Sequence, residues 1–245
     1  MIIEQPADYA GKERDMDNRV IKMNRNTWRI EDAGVRFFLL EGDKKALVID
    51  SGMQITDARE IAEHLTDLPV ELLNTHADRD HIACNEQFEF FYMHAGEEEN
   101  YKRSGKKGTM ILIEDGDVID LGNRRLRIIH LPGHTAGSVA VLDEANRILI
   151  SGDPVQAHGR IFMFGSHRNF DDYIHSLEKL NTMTDEFDEL WPSHGDLPIG
   201  PEVIPNLLEG AYKIKNGEFK GKEEEFFGQK IIAYDLGFTV LLCDR

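Results

Sequence analysis

Asn74-Thr75-His76-Ala77-Asp78-Arg79-Asp80-His81 sets two imidazoles and two carboxylates within six residues, directly after the apolar run Val70 to Leu73. Four side chains of this kind converge from one short segment only if the chain wraps around something, and a cation is the natural centre. Strand ends in open sheets supply functional loops, and three more such positions follow. His134 lies in Leu131-Pro132-Gly133-His134-Thr135, Asp153 in Ser151-Gly152-Asp153 and His194 in Pro192-Ser193-His194-Gly195, each after a predicted strand. Together His76, Asp78, Asp80, His81, His134, Asp153 and His194 offer four imidazoles and three carboxylates. That is enough to hold two metal ions and leave open positions for water and substrate.

The segments around these positions read as an alternation of strands and helices. Strands are predicted at Val20 to Met23, Thr27 to Ile30, Val35 to Glu41 and Ala46 to Asp50, separated by turn residues such as Gly34 and Gly42-Asp43. Thr56 is placed to cap a helix carrying Ala58, Ile61, Ala62 and Leu65 at helical spacing, and Pro69 opens the strand Val70 to Leu73. A helix is expected from about Asn85, and a loop or exposed helix over Glu97 to Gly108. Strands resume at Met110 to Ile113, Arg125 to His130, Ser138 to Leu142 and Ile148 to Ile150. A helix then covers Phe170 to Met183, a strand Glu189 to Trp191, a helix opens near Pro201, and strands close the chain around Ile231 to Tyr234 and Phe238 to Leu242. With no linker-like composition and no fixed repeat, residues 1–245 read as one domain.

Composition narrows the function. Of 245 residues, 41% are hydrophobic and 30% charged, the balance of a globular protein. Lys and Arg number 28 against 45 Asp and Glu, a net charge of −17, which repels a phosphate backbone and excludes nucleic acid as the expected partner. Cys84 and Cys243 are too few for a disulfide framework. The opening MIIEQPADYAGKERD lacks the basic start and apolar stretch of a secretory signal, and no apolar run approaches the ~20 residues that cross a bilayer. A cytoplasmic protein with a small-molecule substrate and no membrane partner is expected; its oligomeric state is not legible. No Gly-rich phosphate loop, serine nucleophile motif or dinucleotide fingerprint competes with the His/Asp set.

The arrangement resembles the metallo-β-lactamase superfamily of metallohydrolases. That family carries His-x-His-x-Asp-His, then a later His, an Asp and a final His; His76, Asp80, His81, His134, Asp153 and His194 stand in those places, and Asp50-Ser51-Gly52 resembles the family's preceding strand end. The resemblance implies an α/β fold, a four-layer αβ/βα sandwich of two mixed β-sheets. It also implies a first metal site at position 78 with His76 and His134, a second at Asp80, His81 and His194, and Asp153 bridging. A bridging hydroxide would attack a small ester, thioester, lactone or phosphoester, with Asp80 as the catalytic residue that ligates and orients it.

Position 78 departs from the pattern, being Asp where the family has its second signature histidine. Two divalent ions facing three carboxylates and a hydroxide sum to no net charge, whereas a neutral histidine would leave one positive charge. On that count Fe or Mn, as divalent or mixed-valence ions, is favoured, with Zn possible. The family's flavodiiron branch carries Glu at this place, which makes a diiron protein reducing oxygen or nitric oxide the alternative function; a catalytically idle metal-binding domain is a third. The alternative role for Asp78 is to orient a ligating histidine without touching metal.

Other residues are weaker candidates. His158, Arg160 and His167, with Arg168, flank Ile161-Phe162-Met163-Phe164 after Asp153 and are candidate substrate contacts, or belong to a surface loop with a buried aromatic plug. Arg79 is placed to meet an anionic substrate or a neighbouring carboxylate. Cys84 reads as structural. His130 is left outside the site, and the runs Glu97 to Glu99 and Glu223 to Glu225 read as solvated faces.

Overall fold

The structure is a computed structural model that describes residues 19–245; the N-terminal stretch read above for a leader lies outside the described residues. The chain begins with an antiparallel meander of β1 (Val20–Asn24), β2 (Thr27–Asp32), β3 (Val35–Glu41) and β4 (Ala46–Ile49). Helix α1 (Ala58–Leu65) then crosses over to β5 (Val70–Leu73), which pairs parallel to β4 with Ile49 opposite Leu73. The strand β6 (Phe90–His94), the short helix α2 (Glu98–Ser104) and β7 (Thr109–Ile113) complete a seven-stranded mixed sheet in the order β1 to β7.

A second sheet takes β8 (Val118–Asp120), β9 (Arg125–His130), β10 (Val139–Asp143) and β11 (Ile148–Gly152). The chain continues through β12 (Arg160–Met163) and α3 (Phe170–Asn181) to β13 (Glu189–Pro192), which joins the second sheet parallel to β11 and gives the order β13-β11-β10-β9-β8. After α4 (Val203–Lys215), the strands β14 (Lys222–Phe226), β15 (Gln229–Asp235) and β16 (Val240–Asp244) pair with β12 in a third sheet ordered β12-β16-β15-β14.

Alternation along the strands builds four layers. On β3, Phe38 and Leu40 point to a cluster shared with Ile128, Val141 and Trp191 of the second sheet, whereas Phe37 and Leu39 point outward to Ala58 and Ala62 of α1. On β10, Val139 and Val141 face the inner cluster, and Ala140 and Leu142 face Leu177 and Leu180 of α3 and Leu207 of α4. Two sheets thus lie face to face with helices outside, the αβ/βα sandwich expected. Each large apolar side chain buried this way contributes roughly 1.5–3 kcal/mol. The third sheet is an addition that the resemblance did not anticipate.

Several local expectations differ. The helix expected from Asn85 is a single 3-10 turn, Asn85–Gln87, followed by β6, because Phe90, Phe91 and Tyr92 are strand-forming aromatics that the parallel partners β5 and β7 enclose. The α1 cap is Asp57 rather than Thr56, with no side-chain bond to the helix. Ile161 to Met163 lie in β12, not in a loop, because β16 offers them a parallel ladder. Glu223 to Glu225 lie in β14, an edge strand whose acidic side chains discourage pairing with another chain.

Candidate metal centre

The seven candidate side chains arrive from strand exits at one edge of the two facing sheets: residues 74–81 after β5, His134 after β9, Asp153 after β11 and His194 after β13. Asp153 is central. Its Oδ2 lies 3.9 Å from His76 Nε2 and 3.6 Å from His134 Nε2, while its Oδ1 lies 3.3 Å from His81 Nε2 and 3.5 Å from His194 Nε2. Asp80 Oδ2 joins the second set at 3.5 Å from His81 Nε2 and 3.1 Å from His194 Nε2. One carboxylate therefore faces two separate donor groups, His76 with His134 and Asp80 with His81 and His194.

Each imidazole is fixed from behind. His134 Nδ1 donates to Phe162 O at 2.9 Å and His194 Nδ1 to Gly34 O at 2.8 Å. His81 Nδ1 donates to Asp50 Oδ2 at 2.8 Å. The Thr75 hydroxyl donates to the same Asp50 oxygen at 2.8 Å, so it accepts from His76 Nδ1 at 3.0 Å. With every Nδ1 engaged, each Nε2 turns its lone pair inward, the outer support typical of metal-ligating histidines. His76 Nε2, His81 Nε2, His134 Nε2 and Asp153 Oδ1 are buried with no hydrogen-bond partner. An unsatisfied buried polar atom costs about 1–3 kcal/mol, and four of them converging in one place fit cations.

The electrostatics agree. Burial by itself would raise the carboxyl pKa values, yet the surrounding imidazoles hold Asp80 and Asp153 below the usual range. Asp78 is likewise buried but held well below, by the neighbouring imidazoles of His134 and His76 and by the charge of Arg168. Burial opposes charge on His81 and His194, but Asp80 and Asp153 raise both, His81 well above its ordinary value. Burial and Arg168 lower His134.

Asp78 sits beside the first group, its Oδ2 3.6 Å from His76 Nε2 and 3.5 Å from His134 Nε2. It is also paired: Arg168 Nη2 donates to Oδ2 at 2.5 Å and Asn100 Nδ2 to Oδ1 at 3.3 Å. Glu97, read from the sequence as part of a solvated run, is fully buried and accepts from Ala77 N at 2.9 Å and Gly137 N at 2.8 Å, bracing two loops of the site. Nothing in its local sequence distinguishes it from Glu98 and Glu99.

A cleft of about 1060 Å³ opens over the centre, with Asp78, Asp80, Asp153 and His194 in its wall. Arg79, Lys106 and Arg160 line it, as do Met53, Ile55, Phe162 and Phe227, the last 82% exposed. Arg79 makes no ion pair with another described residue, so its charge is available at the mouth. His158 and His167 stand outside the cleft lining; His158 pairs with Asp196 at 2.6 Å and His167 Nε2 lies 3.0 Å from Arg103. His130 stacks on His94 at 3.8 Å, away from the centre, and Cys84 is buried with its Sγ against Ile55 O at 3.1 Å.

Gly133 shows how closely the His134 loop is packed. It has φ +128°, and a Cβ there would lie 2.3 Å from Tyr173 N and 2.4 Å from Tyr173 Cα, backbone that cannot yield without moving α3. Gly133→Ala should displace His134, cost about 1–3 kcal/mol of stability, and weaken metal at the His76 and His134 group before the other. Metal content with thermal unfolding checks this; an unaltered His134 occupancy would contradict it.

Residues 32–194 match the metallo-beta-lactamase superfamily, a span that holds every candidate ligand and ends on His194. The chain belongs to this superfamily. Among its relatives, the acyl-coenzyme A thioesterase MBLAC2 of Homo sapiens is 26% identical over 211 residues, covering 68% of this chain and 75% of that protein. The hydroxyacylglutathione hydrolase of Gloeobacter violaceus is 30% identical over 193 residues, covering 74% of this chain and 73% of the relative. In three dimensions a metallo-beta-lactamase from Pontibacter korlensis superposes with a TM-score of 0.65 at 18% identity, over 79% of this chain and 98% of that one. The family makes this protein a metallohydrolase; no helix among the described residues is long and apolar enough to cross a membrane.

Proposed function

We propose that the protein is a binuclear metallohydrolase that cleaves a thioester joining an acyl group to an anionic thiol carrier. The observation that carries this is Asp153, whose two oxygens face two sets of inward Nε2 atoms. His76, His134 and Asp153, with Asp78 beside them, would hold one ion; Asp80, His81, His194 and Asp153 would hold the other. Such ions supply Lewis acidity to a scissile carbonyl and lower the pKa of water at the site.

The chain's own groups do the rest. Asp80, held ionised by its imidazole neighbours, accepts a hydrogen bond from the attacking water and orients it. Arg79 presents positive charge to the carrier, against the −17 of the whole chain, beside Lys106 and Arg160, which are paired with Glu86 at 4.0 Å and Glu224 at 3.3 Å, while Met53, Ile55, Phe162 and Phe227 offer apolar surface to the acyl part. The relatives named above as a thioesterase and as a hydrolase of hydroxyacylglutathione, also a thioester, support the same class.

Thiol release from acyl-coenzyme A and S-acylglutathione panels, measured with metal-loaded protein beside lactone and phosphoester controls, tests the reading. Silence on all thioesters, with oxygen consumption instead, would replace it with the diiron redox alternative. Asp80→Asn should lower kcat by about 10²–10⁴-fold, the span for a positioned proton-transfer group, with KM changed far less. A KM effect alone would show that Asp80 only binds substrate.

A further inference from the structure

Asp78 is where the chain leaves its family pattern, and the structure supplies a partner for it from ninety residues away in sequence. Arg168 lies in the segment between β12 and α3, and its side chain is only 10% exposed. Its Nη2 donates to Asp78 Oδ2 at 2.5 Å, and its Nε donates at 3.1 Å to Phe162 O, the carbonyl that also receives His134 Nδ1 at 2.9 Å. Guanidinium, carboxylate and imidazole are thereby tied into one unit at the edge of the first donor group. An arginine stays protonated at any working pH, so the carboxylate that Asp78 adds is matched in place.

We propose that Arg168 and Asp78 act as one neutral pair, so that zinc affinity at His76 and His134 follows the summed charge of these two side chains. This rests on the metal centre proposed above and adds Arg168 to it as a positioning residue. Its consequence concerns metal identity. Counting Arg168 restores the positive charge that a neutral histidine at position 78 would have left, and the charge argument for Fe or Mn falls away. What remains is a donor set with four imidazoles, which suits Zn.

The test is zinc titration of chelator-stripped protein against a chromophoric competitor, reading the free zinc at half-saturation and the stoichiometry. Arg168→Met leaves the pair with a net negative charge and should tighten zinc by about tenfold or more, because a fixed positive charge beside the ion has gone. Asp78→Asn leaves the guanidinium unmatched and should weaken it by at least as much. The double variant Asp78→Asn with Arg168→Met is neutral again and should return to within about threefold of the parent, and Arg168→Lys, with its charge kept, should do the same. Arg168→Gln, which retains a donor for Phe162 O, is the second neutral variant should Arg168→Met fail to fold, and circular dichroism of the stripped proteins decides that.

Neutral Arg168 variants that bind zinc no more tightly than the parent would overturn the proposal. So would a double variant as weak as Asp78→Asn, since Asp78 would then act by direct contact with the ion and not through charge. A parent that takes up no zinc would overturn both this proposal and the proposed function, whereas zinc binding in the predicted order with no thioester cleavage would overturn the function alone.

Discussion

On the binuclear centre proposed above, Asp153→Ala should empty both metal positions, with turnover lower by about 10³-fold or more, the scale for losing a preorganised stabiliser of transition-state charge. The reason is geometric: Oδ2 serves the His76 and His134 group and Oδ1 the His81 and His194 group, so one truncation removes a donor from each. His194→Ala should behave differently. It removes a donor only from the group with Asp80 and His81, and metal at His76 and His134 should survive. Elemental analysis of the two purified variants separates the cases. Equal losses in both, or two ions retained in Asp153→Ala, would show that Asp153 does not join the groups. A chelator should lower the unfolding midpoint of the parent and leave that of Asp153→Ala unchanged, because only a protein that binds metal is stabilised by it.

Arg124→Met should be the most destabilising single change outside the centre. Arg124 and Asp143 form a buried ion pair with Nη2 to Oδ2 at 2.5 Å and Nε to Oδ2 at 2.9 Å. The remaining guanidinium donors reach across to the other sheet, at Asn26 O (2.8 Å), Glu41 O (3.0 Å) and Thr27 Oγ1 (2.8 Å). Removing the arginine leaves Asp143 charged and buried with two strands short of donors, a loss of about 3–5 kcal/mol. For a chain of this size that lowers the unfolding midpoint by roughly 6–20 °C. Joint replacement of Arg124 and Asp143 by apolar residues should cost less than Arg124→Met alone, since the stranded charge goes too. A loss under 1 kcal/mol for Arg124→Met, measured by denaturant unfolding, would mean that water replaces the guanidinium.

The strands of the first half were legible because each is short, apolar and bounded by turn residues, and β2, β3 and β5 lie within a residue or two of where those marks place them. β6 and β14 were not. Phe90 to His94 follows a 3-10 turn with helix-like polarity and is a strand because β5 and β7 enclose it, whereas Lys222 to Phe226 is acidic and is a strand because it closes a hairpin with β15 across Phe227-Gly228. Local pattern carries no record of such pairing. The same holds for Glu97, whose burial is decided by the backbone amides of Ala77 and Gly137 meeting around it.

By itself, the sequence determined the identity and order of the candidate ligands, since His76, Asp80, His81, His134, Asp153 and His194 each sit in a local motif at a strand exit, where chain direction already confines them to one sheet edge. Only the tertiary structure decided how Asp153 divides its oxygens, which residues anchor each Nδ1, and that Arg168 meets Asp78. Those are distances of a few ångströms between segments up to 160 residues apart, and they follow from the packing of two sheets and their loops, not from any periodicity along the chain.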